Sequence, residues 1–524
     1  MEAAEEVEIS EHQPSDRIPK FDIVKIIFAL ALLALAYTYQ YTRLRELYLE
    51  KPQDETSIDG WIYYIGLKAF HELGENPYNN NRMMRLLLNR KIVVDAVDHN
   101  RFVNGFRKIH AGSPIIGFMA TPCALLILRP VLLLSAQTAI AVFITGTIFV
   151  LAIVVAMFAY RLSRAKTRVS RIADTLIAVA LCAGASSPLL TSALLGQIDW
   201  LYLLPLGLVL YAHTFWRHTY KTAAACVVGL VLVAGIKVFP GIIFLPFVIM
   251  GIEALLRSWK KQPLTRNDSQ QTEMSDWLYY SGIVIGTIAG FAALVTLTGI
   301  VVEWHIISTW QDKLLGMKHL EPAWASLAPS LEVYATFLAR WIAIDSGSIM
   351  PVFELQYLIP PVVSFFVLSL VVVALGYRVK SSARELILLE CGMLLALLPS
   401  VLPHWWYYYH VVMVIPLLAA FFVSRDLRST ALRWCLTVAI AISYLSMNAA
   451  TKVISTRLFP GLRVWWERSE AIAPYPEISY LEYPLAYSPS PMNFFIGYPG
   501  SLLLFLACAV TLIARKHELR QTAN

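Results

Sequence analysis

Apolar runs long enough to cross a lipid bilayer recur along almost the whole of this chain, and they restrict it to a membrane fold. A transmembrane helix needs about 17–25 predominantly apolar residues. Of the 524 residues, 57% are hydrophobic and only 15% are charged, which departs from the composition of soluble globular chains. The sequence therefore predicts an all-α polytopic membrane protein, built as one helical bundle rather than as a series of soluble domains.

Lysine and arginine cluster in short segments between the apolar runs, and these clusters predict the orientation of the chain. Segments of this kind face the cytoplasm according to the positive-inside rule. They lie at 161–168, 217–221, 257–266, 378–384, 425–428 and 515–520. Because the basic residues gather in these loops, the net charge of +7 gives no indication of nucleic-acid binding. We expect a multi-pass protein of the plasma or inner membrane with both termini in the cytoplasm.

This orientation requires that one apolar run does not cross the bilayer. Two runs, Pro114 to Leu134 and Ala136 to Tyr160, precede the basic segment at 161–168. Two full crossings there would place that segment outside. Three prolines in the first run each remove a backbone donor and disturb a straight helix. We therefore expect the first run to be a juxtamembrane or re-entrant segment on the outer side.

About 12 transmembrane helices result, with juxtamembrane helices in the first outside loop. The predicted spans lie near 22–42, 135–160, 174–194, 200–215, 222–236, 239–256, 277–299, 356–376, 385–402, 411–424, 431–447 and 498–514. The polytopic domain would occupy 22–514, between cytoplasmic tails at 1–21 and 515–524. Long outside loops are expected near 43–134, 301–354 and 448–497.

Asp59 stands before an amphipathic stretch in the first outside loop. A helix through Trp61 to Leu73 would lie in the membrane interface, with Asp59 just before it. An acid at that place can serve as a general base if it reaches an acceptor hydroxyl. An aspartate before a helix is also a standard N-cap, and the residues alone favour the cap.

Two further polar positions are predicted at the outer ends of spans. Gln197 and Asp199 would lie in a short outside turn, where they could bind sugar hydroxyls, orient a base, or serve only as a polar turn. Lys237 ends a long apolar region, and a lysine near bilayer depth is costly without a partner. It is expected either to snorkel to the surface or to bind a phosphate there.

A late cluster of rings, His404 to His410, lies at another outer helix end. Aromatic residues at this depth commonly form an interfacial belt, and their rings also stack on sugar faces. Either histidine of the cluster could contact a phosphate. Arg340 is a further candidate anion contact, because its guanidinium group presents a planar fork of donors.

The order of these motifs resembles the polyprenol-phosphate mannosyltransferase-like group of the GT-C membrane glycosyltransferases. The motifs, which together span roughly residues 20–425, are Asp59, Gly74-x-Asn76-Pro77-Tyr78, Gly196-Gln197-x-Asp199, Lys237-x-x-Pro240 and the cluster from His404 to His410. That group often has asparagine before the Ser-Leu pair at 330–331 and after Gly-Gln-x, where this chain has Pro329 and Asp199. These departures bear on donor and acceptor identity more than on the reaction.

The resemblance implies transfer of a sugar, mannose in that group, from a polyprenyl phosphate to a glycan or glycolipid acceptor outside the cytoplasm. The anomeric centre would invert, and the product would belong to glycolipid biosynthesis of the cell envelope. It also favours Asp59 as the catalytic base. Lys237, Arg340 and His404 would bind the donor phosphate. The implied sugar or acceptor contacts are Tyr63, Asn76, Tyr78, Gln197, Asp199, Trp405, Trp406 and His410.

Other functions and cofactors stay open at this point. A multi-pass transporter or flippase for lipid-linked sugars predicts repeated halves and broken helices at mid-bilayer, and the chain shows no clear repeat. An O-antigen-type ligase or polymerase would depend on late Arg and His residues rather than on Asp59. No cofactor is indicated with certainty. A divalent metal stays open, because Asp59 and Asp199 alone do not define a site, and the six cysteines lack metal-binding spacing.

Overall fold

The architecture is helical throughout the described part of the chain. The computed structural model describes residues 20–45, 58–79, 120–259, 275–316, 350–377, 385–402, 407–448 and 498–523, together with positions 83, 85, 86, 331 and 335. Within these ranges there is no β-strand. Seven helices are long and apolar enough to cross a membrane. The predicted all-α polytopic membrane fold is confirmed.

Sixteen α-helices are described in these ranges. They are α1 Lys20–Arg45, α2 Ile58–Leu73, α3 Pro122–Ile127, α4 Ala136–Leu162, α5 Arg168–Val179, α6 Ser187–Leu195, α7 Trp200–Phe215, α8 Tyr220–Ile236, α9 Phe244–Trp259, α10 Asp276–Val302, α11 Trp304–Gly316, α12 Met350–Gly376, α13 Glu385–Val401, α14 Val414–Ser424, α15 Thr430–Met447 and α16 Tyr498–Ala523. Short 3-10 helices at Arg129–Leu133, Phe239–Ile243 and Tyr407–Met413 lead out of α3 or into α9 and α14.

The helices follow the predicted spans closely, because long apolar runs leave the backbone few alternatives in a bilayer. The seven long candidates are Lys20–Thr42, Ala136–Leu162, Phe239–Leu256, Asp276–Val302, Leu358–Gly376, Thr430–Met447 and Tyr498–Gln521. Shorter apolar helices, among them α7 and α8, pack between them. The total of about 12 crossings stays a prediction.

The predicted span near 174–194 is wrong as a single helix. After α5 the chain forms one π-helical turn, Ala180–Gly184, and α6 then starts afresh. Ser186 caps α6 by accepting a hydrogen bond from the Leu189 amide at 3.3 Å. Pro188 occupies the first turn of α6, where a proline is tolerated because that turn needs no amide donor.

The described part of the run from 114 to 134 is too short to cross a bilayer as a helix. The helical segment Pro122–Leu133 changes from α3 to a 3-10 helix at Leu128. Twelve helical residues measure roughly 18 Å, whereas the hydrocarbon core is about 30 Å thick. The placement of the whole run as a juxtamembrane or re-entrant segment stays a prediction.

Three of the predicted cytoplasmic segments lie together at one end of the bundle. Arg164 forms an ion pair with Asp426, and the Arg428 amide donates a hydrogen bond to the Glu518 carboxylate at 2.6 Å. We call this end the basic end. That it faces the cytoplasm stays a prediction, and so does the placement of both termini there.

A buried ion pair joins α13 to α16. The Lys516 ammonium lies 2.7 Å from the Glu390 carboxylate, with side-chain exposures of 4% and 6%. The same ammonium donates to the Ala374 carbonyl of α12 at 3.0 Å. A charge buried at this level requires such partners, and here they join three helices.

Candidate active site

Asp59 lies inside the first turn of α2, which begins at Ile58. The expectation that it stands just before the helix is therefore wrong. Its side chain accepts a hydrogen bond from the Gln197 side-chain amide, which belongs to a different part of the chain. An acid in the first turn still interacts favourably with the positive helix end, but here the carboxylate is directed to a tertiary contact.

Gln197 reaches Asp59 from a tight turn between α6 and α7. Gly196 ends α6 at φ +69°, a left-handed conformation that glycine adopts without steric cost. The backbone N–H of Gln197 donates to the Ser192 carbonyl at 3.0 Å, and the backbone carbonyl of Gln197 accepts from the Thr147 hydroxyl at 3.3 Å. The turn is therefore fixed on both sides.

Tyr63, one helical turn after Asp59, holds the other end of the Gln197 amide. Its hydroxyl donates to Gln197 Oε1 at 3.0 Å. Gly60, which lies between Asp59 and Tyr63 in the sequence, packs closely on the turn at Gly196. A Cβ atom on Gly60 would lie 3.1 Å from the Gly196 carbonyl oxygen. The first turn of α2 thus rests directly on the loop that carries Gln197.

Asp199 and Lys237 form a buried ion pair beside this contact. Lys237 Nζ lies 2.6 Å from Asp199 Oδ1, with side-chain exposures of 11% and 0%. Ser192 donates to the second carboxylate oxygen at 2.6 Å. The expected snorkelling of Lys237 is therefore wrong, because a charge this deeply buried requires a partner inside the bundle. Asp199, although it precedes α7, does not cap it.

Aromatic rings surround the Lys237 ammonium. It lies 4.5 Å from the ring centroid of Tyr409, 5.2 Å from that of Tyr202 and 5.9 Å from that of Phe239. Aromatic faces attract a cation at these distances. Tyr409, which belongs to the 3-10 helix at 407–413, also packs on Phe239, with 4.7 Å between the ring centroids.

The environment raises the pKa of Asp59 from 3.8 to about 7. Burial is the largest cause; the hydrogen bond from Gln197 and the positive charge of Lys237 lower the value, and the negative charge of Asp199 raises it. A carboxylate with a pKa near neutrality suits general-base chemistry. Burial, with the nearby Asp59 charge, raises the pKa of Tyr63 well above its ordinary value, so that hydroxyl stays protonated.

The structure thus brings five of the predicted site residues together, and two others bind elsewhere. Asn76 donates to the Thr309 hydroxyl at 3.2 Å, and the Tyr78 hydroxyl donates to the Ala120 carbonyl at 2.8 Å. These bonds fasten the segment that follows α2 to α11 and to the residues just before α3. Their assignment to sugar or acceptor binding stays a prediction.

The late aromatic cluster is only partly described. His410 is buried and its ring nitrogen lies 2.8 Å from the Ser501 hydroxyl, while the preceding Tyr409 faces Lys237. Predicted contacts that lie outside the described residues are Arg340, His404, Trp405 and Trp406. Their assigned roles stay predictions.

Three residues of the site escaped the sequence reasoning. Ser192 lies seven residues before Asp199 and Tyr202 lies three residues after it. Residues three apart are neighbours on a helix, so this spacing could have indicated the tyrosine. Tyr409 belongs to the predicted aromatic cluster, but nothing in the sequence connects it with Lys237. Among the residues that the structure describes, no three His, Cys, Asp or Glu side chains converge so as to hold a metal ion.

One family profile matches the chain. The profile of glycosyltransferase family 87 matches residues 118–401, more than half of the chain. That region contains Gln197, Asp199 and Lys237, while Asp59 precedes it. No curated protein and no solved structure matches significantly. The family match favours a transferase over a transporter, in keeping with the resemblance to GT-C enzymes. The chain belongs to glycosyltransferase family 87 and is a membrane glycosyltransferase.

Proposed function

We propose that this glycosyltransferase moves mannose from a polyprenyl phosphate to a glycan or glycolipid acceptor on the extracytoplasmic side of the membrane, with inversion. The observation that carries the proposal is Asp59, a half-buried residue whose carboxyl pKa of about 7 lets it accept a proton at neutral pH. The lysine beside it supplies positive charge near the place where an anionic leaving group would develop.

The position of the site along the helices supports the orientation. Helix α7 begins beside Asp199 and ends near the basic segment at 217–221, and α8 returns from that segment to Lys237. The carboxylates of Asp199 and of the neighbouring Asp59 therefore lie at the end of these helices opposite the basic segment. If the basic end faces the cytoplasm, as the positive-inside rule requires, the site opens on the extracytoplasmic side, where a lipid phosphate lies at the surface.

The reaction is a single displacement at the anomeric carbon. The acceptor hydroxyl oxygen forms the new bond to that carbon, and its proton passes to Asp59. The bond from the anomeric carbon to the donor phosphate oxygen breaks, and its electron pair leaves with the phosphate. One displacement inverts the anomeric centre, as in other one-step sugar transfers.

The departing phosphate needs electrostatic support more than a proton. Lys237 is the candidate that the structure describes, and Arg340 and His404 complete the proposed set. An ammonium group carries three donors, so Lys237 can bind an anion as well as Asp199. Trp405 and Trp406, beside Tyr409 in sequence, are proposed to stack on a sugar ring.

A direct assay tests the proposal. Purified protein in nanodiscs would receive a defined polyprenyl-phosphate mannose and a glycolipid extract from its own host as acceptor. We expect transfer by the wild type and its loss in a folded Asp59→Asn variant. Asp312→Asn is the matched control, because Asp312 is an exposed aspartate on α11, and it should transfer like the wild type.

The outcomes separate the parts of the proposal. Equal transfer by wild type and Asp59→Asn would remove Asp59 as the base. Transfer from a polyprenyl-phosphate glucose but not from the mannose donor would reject mannose and keep the reaction class. Transfer from a soluble nucleotide sugar, with none from either lipid donor, would reject the lipid carrier.

A further inference from the structure

We infer that Gln197 is a positioning residue, which holds one oxygen of the Asp59 carboxylate and is itself oriented by Tyr63, so that neither side chain binds the sugar. This inference rests on the proposed role of Asp59 as the base. It replaces the sugar or acceptor contacts that the motif order implied for Gln197 and Tyr63.

Both ends of the Gln197 carboxamide are already engaged. Nε2 donates to Asp59 Oδ2, and Oε1 accepts from the Tyr63 hydroxyl at 3.0 Å. The residue is 1% exposed and Tyr63 is 6% exposed. Each end of the carboxamide keeps one further donor or acceptor position, but a residue enclosed to this degree does not offer it to a sugar hydroxyl, and breaking the existing buried hydrogen bonds is costly.

Tyr63 determines which way the amide points. A carboxamide has a donor end and an acceptor end, and the protonated Tyr63 hydroxyl donates to the acceptor end. Reversing the amide would direct its oxygen at the Asp59 carboxylate, where two acceptors repel each other. The tyrosine proton therefore keeps the donor end on Asp59.

The backbone of the turn keeps the amide in place. Gly196 adopts its left-handed conformation, and the Gln197 backbone is bonded to Ser192 on one side and to Thr147 of α4 on the other. The described residues supply no hydrogen bond to the second Asp59 oxygen, Oδ1. In the proposed mechanism, that oxygen takes the proton of the acceptor hydroxyl.

A substrate-free measurement tests the positioning directly. Thermal unfolding of each protein and of its Asp59→Asn derivative would be followed from pH 4 to 9, and the difference would report the Asp59 carboxyl alone. Because the folded pKa is raised, the folded wild type binds a proton that the unfolded chain releases. Wild type therefore loses stability relative to Asp59→Asn as pH rises from about 4, and the difference levels off above about 7.

We call the pH interval over which this stability difference changes the titration window. Gln197→Leu should move the upper limit of that window to higher pH, because the hydrogen bond that lowers the Asp59 pKa is lost. Tyr63→Phe should move it in the same direction by a smaller amount. The matched controls are Gln137→Leu and Tyr41→Phe, both at exposed positions, which should leave the window unchanged. An unmoved window in a folded Gln197→Leu protein would overturn the inference.

The assay of transfer gives the second readout. Gln197→Leu should lower kcat by about 100-fold, since misplacing a catalytic group by about 1 Å has that effect, while KM for donor and acceptor changes less than about two-fold. A raised KM with an unchanged kcat would instead make Gln197 a substrate contact. Should the wild type transfer nothing from a polyprenyl phosphate, the proposed function fails, while the unfolding measurement still decides the positioning role.

Discussion

The side-chain amide of Gln197 donates a hydrogen bond to the carboxylate of Asp59, joining positions 138 residues apart in the sequence. The bond connects α2, in the first loop, with the turn between α6 and α7. It also couples the candidate base to the neighbouring pair of Asp199 and Lys237, whose charges act on the Asp59 pKa in opposite directions. Changes at any of these residues should therefore be visible in the chemistry of Asp59.

The rate of transfer should depend on pH through Asp59. Below its pKa of about 7 the carboxyl is protonated and cannot accept a proton. We expect kcat/KM to rise about ten-fold per pH unit up to roughly pH 7 and then to level off. The measurement is initial rates from pH 5 to 9, with Asp312→Asn giving the same profile. A rate independent of pH below 6 would contradict a titrating base.

Removing one member of the Asp199–Lys237 pair should destabilise the protein strongly. Lys237→Met leaves a buried carboxylate without its cation, at a cost of about 3–5 kcal/mol. The double variant Asp199→Asn/Lys237→Met should recover most of the loss, because neither buried charge then remains. Thermal unfolding in one detergent compares the wild type, both single variants and the double variant, and additive losses in the double variant would refute a direct pairing.

The Glu390–Lys516 pair offers the same chemistry away from the site. Lys516→Met should again cost about 3–5 kcal/mol, and adding Glu390→Gln should restore part of it, since the Ala374 carbonyl still lacks its donor. The double variant, once folded, should keep kcat within about two-fold of wild type. A large fall in its kcat would show that this network influences catalysis from the basic end.

A methyl group at Gly60 should separate α2 from the turn that holds Gln197. The added Cβ would lie 3.1 Å from the Gly196 carbonyl oxygen, and backbone on both sides leaves little room to adjust. We expect Gly60→Ala to lower kcat on the order of ten-fold by displacing Asp59. Gly282→Ala is the control, because nothing lies within 4 Å of its Cβ, and alanine stabilises a helix by up to about 1 kcal/mol. Equal activity of both variants would show that the close approach of α2 has no catalytic importance.

Hydropathy predicted most helices because the bilayer constrains their length and their backbone bonding. The span predicted at 200–215 coincides with α7, Trp200–Phe215. The break after Val179 was not visible, because the residues around Ala180 to Gly184 are small and apolar and satisfy the hydropathy of a span. A π-helical turn depends on local packing, here on the approach of α1, where a Cβ on Gly184 would lie 2.6 Å from that of Ala36.

The residues of the site could be predicted from the sequence, but the hydrogen bonds and the ion pair that they form could not. Asp59, Gln197, Asp199 and Lys237 stood out because polar groups next to apolar runs are costly and few. Their partners depend on which helix ends meet, and that follows from the packing of α2, α4, α7 and α8. Lys237 therefore looked like a surface lysine, although the fold places it 2.6 Å from Asp199.

The long sequence separation between Asp59 and Gln197 also determines when the site can form. Ribosomes add about 5–20 residues per second, so the separation of 138 positions corresponds to roughly 7–28 seconds of synthesis. During that interval α2 lacks its hydrogen-bond partner, although the 3-10 helix Arg129–Leu133 and α4, which pack on α2, are already made. The candidate site is therefore completed only when the turn after α6 brings Gln197 to Asp59, and the pair of Asp199 and Lys237 joins it once α8 has been made.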